Sequence, residues 1–230
     1  MTELVAYSLE DGIATLTLNN GKVNAFSHEL IAQFNSGLDQ AQAAGAVVVV
    51  TGQPGVLSGG YDLKVMMSGP QNAIDLVAAG SGLARRMLAH PQPIIVACPG
   101  HAVAKGAFVL LSADYRIGVE GPFTIGLNEV KIGMTMHHVG ITIAQDRLTK
   151  PAFQRAVINA EMFTPQSAVA AGFLDQVVAP EHLMATALEV AQQMKKLNMT
   201  AHRNTKLKVR KALLETLDAA ITLDKTISLM

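Results

Sequence analysis

The sequence predicts an α/β fold, a parallel sheet with helical crossovers, and three observations carry that reading. Strand and helix patterns alternate through the first 120 residues. Ala46–Thr51 is an unbroken apolar run between turn signals, the signature of a strand buried on both faces. Ile94–Cys98 repeats it after a long helical pattern and before a short one.

Val5–Leu9 and Ile13–Leu18 alternate on either side of Glu10-Asp11-Gly12, an Asp-Gly hairpin signal. Asn19-Asn20-Gly21 is a second turn. Ser27 is then suited to cap a helix whose apolar stripe runs through Leu30, Ile31, Phe34, Leu38 and Ala41. After the Ala46–Thr51 strand, Gln53–Gly60 reads as a loop, and a helix is expected from about Pro70 to His90. The Ile94–Cys98 strand should stop at Pro99-Gly100, followed by a small-residue turn, a short helix over Ala107–Ala113 and a strand over Asp114–Val119. Further helices are expected at His137–Arg147, at Lys150–Ala160 with Pro151 in its first turn, and after Thr164 up to Gly172. Leu174–Val178 reads as a short strand, Pro180–Met194 as a helix, and the tail from Thr205 to Leu229 as one more helix.

Composition narrows the function classes. A chain of 230 residues is one large domain, or one with a helical appendage, and half of its residues are hydrophobic. The apolar runs are too short to span a bilayer. The start, Met1-Thr-Glu-Leu, leads directly into a strand pattern with no basic segment or cleavage site, so a cytoplasmic location is expected. Cys98, the single cysteine, excludes an intramolecular disulfide and reads as core packing. Formal charge is zero, which supplies no global field for nucleic acid or an acidic membrane. No partner of either kind is expected.

Chemistry concentrates between Ile94 and Gly133. Amide donors at the start of the short helix near Ala104 and Gly106 can hold a developing negative charge. Glu129, among Ile125, Leu127, Val130 and Ile132, is a carboxylate whose apolar neighbours raise its pKa and suit it to moving protons. Taken alone, Glu129 reads rather as a surface or salt-bridged residue near Lys131, and Gly59-Gly60 as an ordinary turn. The adjacent His137 and His138 lack the spacing of a zinc site, and no metal is expected.

Several ordered motifs then carry a family resemblance: VVVVTGQPGVLSGGYDL, PGHAVAKGAFVLLSADYRIG, GLNEVKIG and TPQSAVAAGFLDQVV. Together the sequence resembles the enoyl-CoA hydratase/isomerase (crotonase) superfamily, and most of all its mitochondrial-type 3,2-enoyl-CoA isomerases. The resemblance implies a crotonase-like spiral of ββα units over residues 1–180, with the thioester site, and a C-terminal helical region over 181–230. It implies an acyl-CoA substrate, no cofactor beyond it, and a homo-oligomer, trimer or hexamer. It places an oxyanion hole on the backbone N–H groups of Tyr61 and Lys105. Related enzymes usually carry glycine where Lys105 stands, so its side chain either narrows the site, reaches a CoA phosphate, or marks a non-catalytic CoA-binding scaffold. Lys22 and Lys64 fall where CoA phosphates would be met, and Phe108 and Met134 at the acyl pocket.

The resemblance also separates reactions. Hydratases of the family use two carboxylates; here the first position is Phe108 and the second is Glu129. A double-bond shift needs one base, which removes a proton from C2 of a 3-enoyl thioester and returns it at C4. Isomerisation with Glu129 as the proton shuttle is the expected reaction. The alternatives are another thioester reaction of the family, hydration or hydrolysis, and the scaffold.

Overall fold

The computed structural model describes residues 2–226. Strands β1 (Val5–Glu10) and β2 (Ile13–Leu18) form the expected antiparallel hairpin, Val5 opposite Leu18 and Glu10 opposite Ile13. Its turn places both Asp11 (φ 48°) and Gly12 (φ 71°) in the left-handed region, as an Asp-Gly hairpin requires. From β2 the sheet continues in parallel through β3 (Val47–Thr51) and β5 (Ile94–Cys98), which flank a short strand of another sheet, then β7 (Tyr115–Val119) and β10 (Gln176–Val178). The six strands lie in the order β1-β2-β3-β5-β7-β10.

Both faces of this sheet are covered, which explains why its central strands are apolar throughout. On one face Leu16, Val48, Val50, Ile94, Val96 and Cys98 join helices α1 (His28–Ala43) and α3 (Pro70–Ala89) in the main core. On the other, Ile13, Val47, Val49, Ile95, Ala97 and Ile117 meet Leu183, Ala187 and Ala191 of α8 (Leu183–Lys195). Ser27 caps α1 as expected, its hydroxyl accepting the Leu30 N–H at 3.1 Å.

The second sheet departs from the sequence reading. Gln53–Gly60, expected as a loop, contains β4 (Gly55–Ser58), and the expected stop at Pro99-Gly100 is where the chain passes into β6 (Gly100–Val103). These two join β8 (Ile125–Gly126) in parallel, and β9 (Met162–Phe163) closes the edge antiparallel. Strands of two to four residues, three of them carrying a glycine, are too short for hydrophobic alternation to betray them. Their backbones touch instead: a Cβ on Gly100 would lie 2.0 Å from the Gly55 carbonyl oxygen. The chain thus three times lays one strand in the large sheet, one in the small sheet, and then a helix, giving the spiral of ββα turns that the motifs implied.

Helix α2 (Leu63–Met66) is a short, unexpected element, and α4 (Lys105–Leu111) begins two residues before the expected Ala107. Helices α5 (His138–Arg147), α6 (Lys150–Val157) and α7 (Pro165–Ala171) follow as read, with Thr164 capping α7 and Gly172 ending it at φ 99°. The tail, expected as one helix, is two: α9 (Met199–Val209) and α10 (Lys211–Asp224), broken at Arg210. Leu229 lies outside the described residues.

The break has an electrostatic cause. Asp114, at the start of β7, accepts the Ile94 N–H at 2.8 Å and pairs with Lys206 Nζ at 2.6 Å and with the Arg210 guanidinium at 3.0 Å. Arg210 also donates to the Leu88 carbonyl at 2.9 Å. One carboxylate therefore fixes the end of α9 to the sheet and to α3, and α10 turns back across α3 and α5, burying Leu214, Leu217 and Ala220. Lys206 and Arg210 are thereby removed from the basic surface that the tail sequence displays. Replacing Asp114 with Ala leaves the buried Lys206 ammonium unpaired, so thermal or denaturant unfolding should show a loss of about 3 kcal/mol.

Candidate active site

The site is assembled where the small sheet meets the helices. Its first part is the loop after β4. Ser58 Oγ donates to the Asn24 carbonyl at 2.8 Å and accepts the Gly60 N–H at 3.1 Å, and Gly59 donates to the Val23 carbonyl at 2.8 Å. A parallel bridge to Phe26 finishes the loop: Phe26 N–H bonds the Gly60 carbonyl at 2.8 Å, and Asp62 N–H bonds the Phe26 carbonyl at 3.0 Å. Alternation in this extended segment turns the Tyr61 N–H away from Phe26, and among the described residues it meets no acceptor. Asp62 then caps α2 by accepting the Lys64 N–H at 2.9 Å, which orders the end of the loop.

The second part is the first turn of α4. Ala104, at φ 50° and ψ −117°, turns the chain sharply into the helix. The Lys105 N–H is a first-turn donor with no acceptor among the described residues. Gly106 permits the contact that seats this turn, since a Cβ there would lie 2.4 Å from the Ser58 carbonyl oxygen. A Cβ on Gly60 would sit 3.2 Å from Ala104 Cβ and 3.9 Å from Lys105 N, so the two loops lie against each other.

Glu129 lies three residues after β8, just before a turn of 3-10 helix at Val130–Ile132. It is 8% exposed, its Oε2 is buried with no hydrogen-bond partner among the described residues, and desolvation pushes its pKa up to about 7. The phenol of Tyr61 is shifted upward by burial and, after that, by the nearby carboxylates of Glu129 and Asp224. Met134 N–H donates to the Glu129 carbonyl at 2.9 Å, which sets Met134, half-buried, beside the carboxylate's own turn.

The Lys105 side chain does not reach solvent. It is 1% exposed, and its Nζ donates to the Gly80 carbonyl in α3 at 2.6 Å, with desolvation pushing its pKa down to about 7. This corrects the reading in which its ammonium met a CoA phosphate: the stem runs inward, beside the Phe26 ring. Phe108, 2% exposed, packs edge-on against the His137 ring with centroids 5.4 Å apart. Burial pushes His137 down to about 4, against the opposing pull of Asp224. Lys22 and Lys64 are both exposed, Lys22 in the turn that leads to Val23 and Lys64 in α2 directly after Tyr61.

Sequence reasoning missed Asn24, Ser58, Gly80 and Asp224. Asn24 is fully buried at φ 47°, and its Oδ1 accepts the Asn20 N–H at 2.8 Å. The signal available was an Asn in a turn, a residue type tolerant of that conformation. Asp224, 5% exposed, accepts the N–H groups of His138 at 2.8 Å and Val139 at 3.0 Å, capping α5 from a helix 85 residues away. No local pattern encodes such a cap.

The sequence profile of the enoyl-CoA hydratase/isomerase family matches residues 8–228. The chain belongs to that family. Among solved structures, an enoyl-CoA hydratase/isomerase family protein from Pseudomonas syringae is 70% identical, with 99% of each chain covered and a TM-score of 0.98. A Mycobacterium tuberculosis enoyl-CoA isomerase is 38% identical over 98% of this chain and 99% of its own (TM-score 0.94). An enoyl-CoA hydratase from Mycobacterium marinum is 36% identical over 97% and 98% (TM-score 0.92). Human mitochondrial enoyl-CoA delta isomerase 1 is 29% identical, spanning 87% of this chain and 68% of that protein. The crotonase fold and membership of this enzyme family are therefore properties of the chain, and its relatives divide between isomerases and hydratases.

Burial of Glu129 has a measurable consequence for stability. Its folded-state pKa lies above the unfolded value, so between about pH 4.5 and 7 the folded protein holds a proton that the unfolded chain has lost. Any stabilisation from that proton is complete below pH 4.5 and gone above pH 7. Comparing wild type with Glu129→Gln by urea unfolding across this window, the difference should move against wild type by on the order of 3 kcal/mol as pH rises.

Proposed function

We propose that the protein is an enoyl-CoA isomerase, converting a 3-enoyl-CoA to the 2-trans-enoyl-CoA through a thioester dienolate. The observation that carries this reading is one unpartnered, buried carboxylate, Glu129, near a Tyr61–Lys105 pair of acceptor-free amides. In the proposed reaction the Tyr61 and Lys105 N–H groups hold the thioester oxygen as negative charge develops on it. Glu129, ionised, removes a C2 proton, and the resulting acid returns it at C4. No cofactor takes part. The CoA phosphates are assigned to Lys22 and Lys64, which are exposed on the surface near the Tyr61 loop, and the acyl chain to the apolar ground near Phe108 and Met134.

Hydration is the second reading, favoured by the hydratase from Mycobacterium marinum. It needs a further group to activate water. Phe108 stands at the position where the family's hydratases hold their other carboxylate, and the Asp224 carboxylate is engaged by two backbone N–H groups. A single-base reaction fits this inventory better.

Purified protein supplied separately with 3-enoyl-CoA and 2-enoyl-CoA decides between them. The expected result is turnover of the first without water addition to the second; sustained hydration would reverse the assignment. Glu129→Gln keeps the side chain's size and removes the base, so kcat should fall by about a hundred- to ten-thousandfold while thioester binding changes little. In wild type, kcat/KM should rise about tenfold per pH unit up to about pH 7 and level off as Glu129 becomes ionised. Near-normal isomerisation by the Gln variant would dismiss Glu129 as the shuttle.

The assembly proposed is a trimer or a pair of trimers. Leu197, in the bend before α9, and Val209, at the end of α9, remain 50% and 77% exposed on the single chain, which supports a partner surface there. Light scattering at micromolar concentration should give a mass three or six times that of the chain, and a monomer mass would exclude it.

A further inference from the structure

The two residues that the proposed function makes donors of the oxyanion hole have a second feature in common. Their side chains leave the hole and end at the same turn of α3. Lys105 crosses the core from the start of α4 and donates from Nζ to the Gly80 carbonyl at 2.6 Å. Tyr61 lays its ring on the other side of the same residue: a Cβ on Gly80 would lie 2.1 Å from the Tyr61 hydroxyl oxygen and 2.7 Å from Cε1 and Cζ. The Tyr61 hydroxyl sits 3.5 Å from the Val77 carbonyl, one turn back. Gly80 is thus the point of α3 that both side chains reach, and only glycine admits the ring there.

Core filling does not account for a lysine in this position. Methionine has a stem of similar length and would pack beside Phe26 without an ammonium to desolvate. Burying an amine whose one hydrogen-bond partner among the described residues is a carbonyl is unfavourable unless that bond does something an apolar contact cannot. What the bond does is directional. Lys105 begins a helix of seven residues entered through Ala104 at φ 50°, so the direction of its backbone N–H is set by how that first turn is held. A hydrogen bond from the end of its side chain to a carbonyl inside the 20-residue helix α3 ties that turn to a second, longer element, beside the contact Gly106 makes with Ser58.

We propose that the Gly80 turn of α3 acts as a gauge that sets the separation and direction of the Tyr61 and Lys105 amides, with the Lys105 ammonium as a positioning group that never touches substrate. The inference rests on the oxyanion reading above. It reverses a natural expectation from the family, that replacing Lys105 with glycine would be harmless because only its N–H is used.

The test reads the hole directly, without turnover. Hexanoyl-CoA labelled with carbon-13 at the thioester carbonyl is saturated and unreactive, and its C=O stretching frequency in the infrared reports polarisation by the two amides. Wild type should lower that frequency on binding. Lys105→Met should lose about half of the downshift or more, and its kcat should fall about tenfold or more with KM changed by less than about threefold. Gly80→Ala should do the same by pushing the Tyr61 ring aside. Adding Tyr61→Leu to Gly80→Ala removes the clashing ring while keeping the backbone donor, and should recover part of the downshift. A role in folding alone would lower the unfolding temperature and leave the bound carbonyl frequency unmoved in the folded fraction. Should Lys105→Met fail to fold, the Gly80 pair decides: loss and recovery sustain the proposal, and an undiminished downshift in Gly80→Ala overturns it. Full downshift in both single variants overturns the gauge and leaves the oxyanion hole standing. No downshift in wild type removes the hole itself, and the gauge with it.

Discussion

The active region depends on backbone meeting backbone with no side chain between. Gly100 lies over Gly55 and Gly106 over the end of β4, each so close that a methyl group would overlap a carbonyl. These contacts hold the small sheet together and press the first turn of α4 against the loop from Ser58 to Tyr61. Were either glycine larger, the two acceptor-free amides would move apart, and the remaining chemistry would have nothing to act against. The hydrogen bonds of Ser58 to Asn24 and Gly60 then use up neighbouring donors, and the N–H groups of Tyr61 and Lys105 are among those that meet no acceptor among the described residues.

Where the sequence was legible, a large hydrophobic signal stood behind it. The strands at Val47–Thr51 and Ile94–Cys98 are buried on both faces and read as continuous apolar runs, and α1 and α3 show their stripes. The small sheet was illegible because its stability lies in close approach, which leaves glycine and alanine in the sequence and no periodicity. Glu129 stood out through its motif and its apolar neighbours. The direction of the Lys105 side chain did not, because a lysine is read as exposed by default, and what holds it inside is a carbonyl 25 positions earlier in the chain. The break at Arg210 was hidden for the same reason: its cause, Asp114, is nearly a hundred residues away.

A chain with no net charge buries Glu129 and Lys105 without an opposite charge bonded to either. Desolvation drives the two toward one pKa from opposite sides, each to about 7. Their effects on stability act in adjoining pH ranges and with opposite sign. Glu129 weakens the fold as pH climbs to 7, and Lys105 strengthens it from 7 toward 10.5, where the unfolded chain still carries the proton that the folded protein has released. Both are poor choices for stability at neutral pH. A fold that keeps two such groups in the same region is holding them against its own stability, which is where functional constraint shows itself physically.

The far wall of this region is supplied by the end of the described chain. Asp224 caps α5, α5 carries Gly140, and a Cβ at Gly140 would strike Phe108, Met136 and His137 at 2.8 Å each. Phe108 follows Lys105 in α4, so a shift of α10 would pass through α5 to the helix whose first N–H faces the Tyr61 loop. Arg85 of α3 bonds Asp218 of α10 at 2.8 and 2.9 Å, tying the same helix to the element that receives both Tyr61 and Lys105. The tail is therefore mechanically part of the site although it contributes none of the groups assigned to the reaction. Its two carboxylates differ in kind: Asp218 makes an exposed pair that adds little to the apolar packing already placing α10, whereas the buried Asp224 caps α5 and so bears on how α5 meets α4.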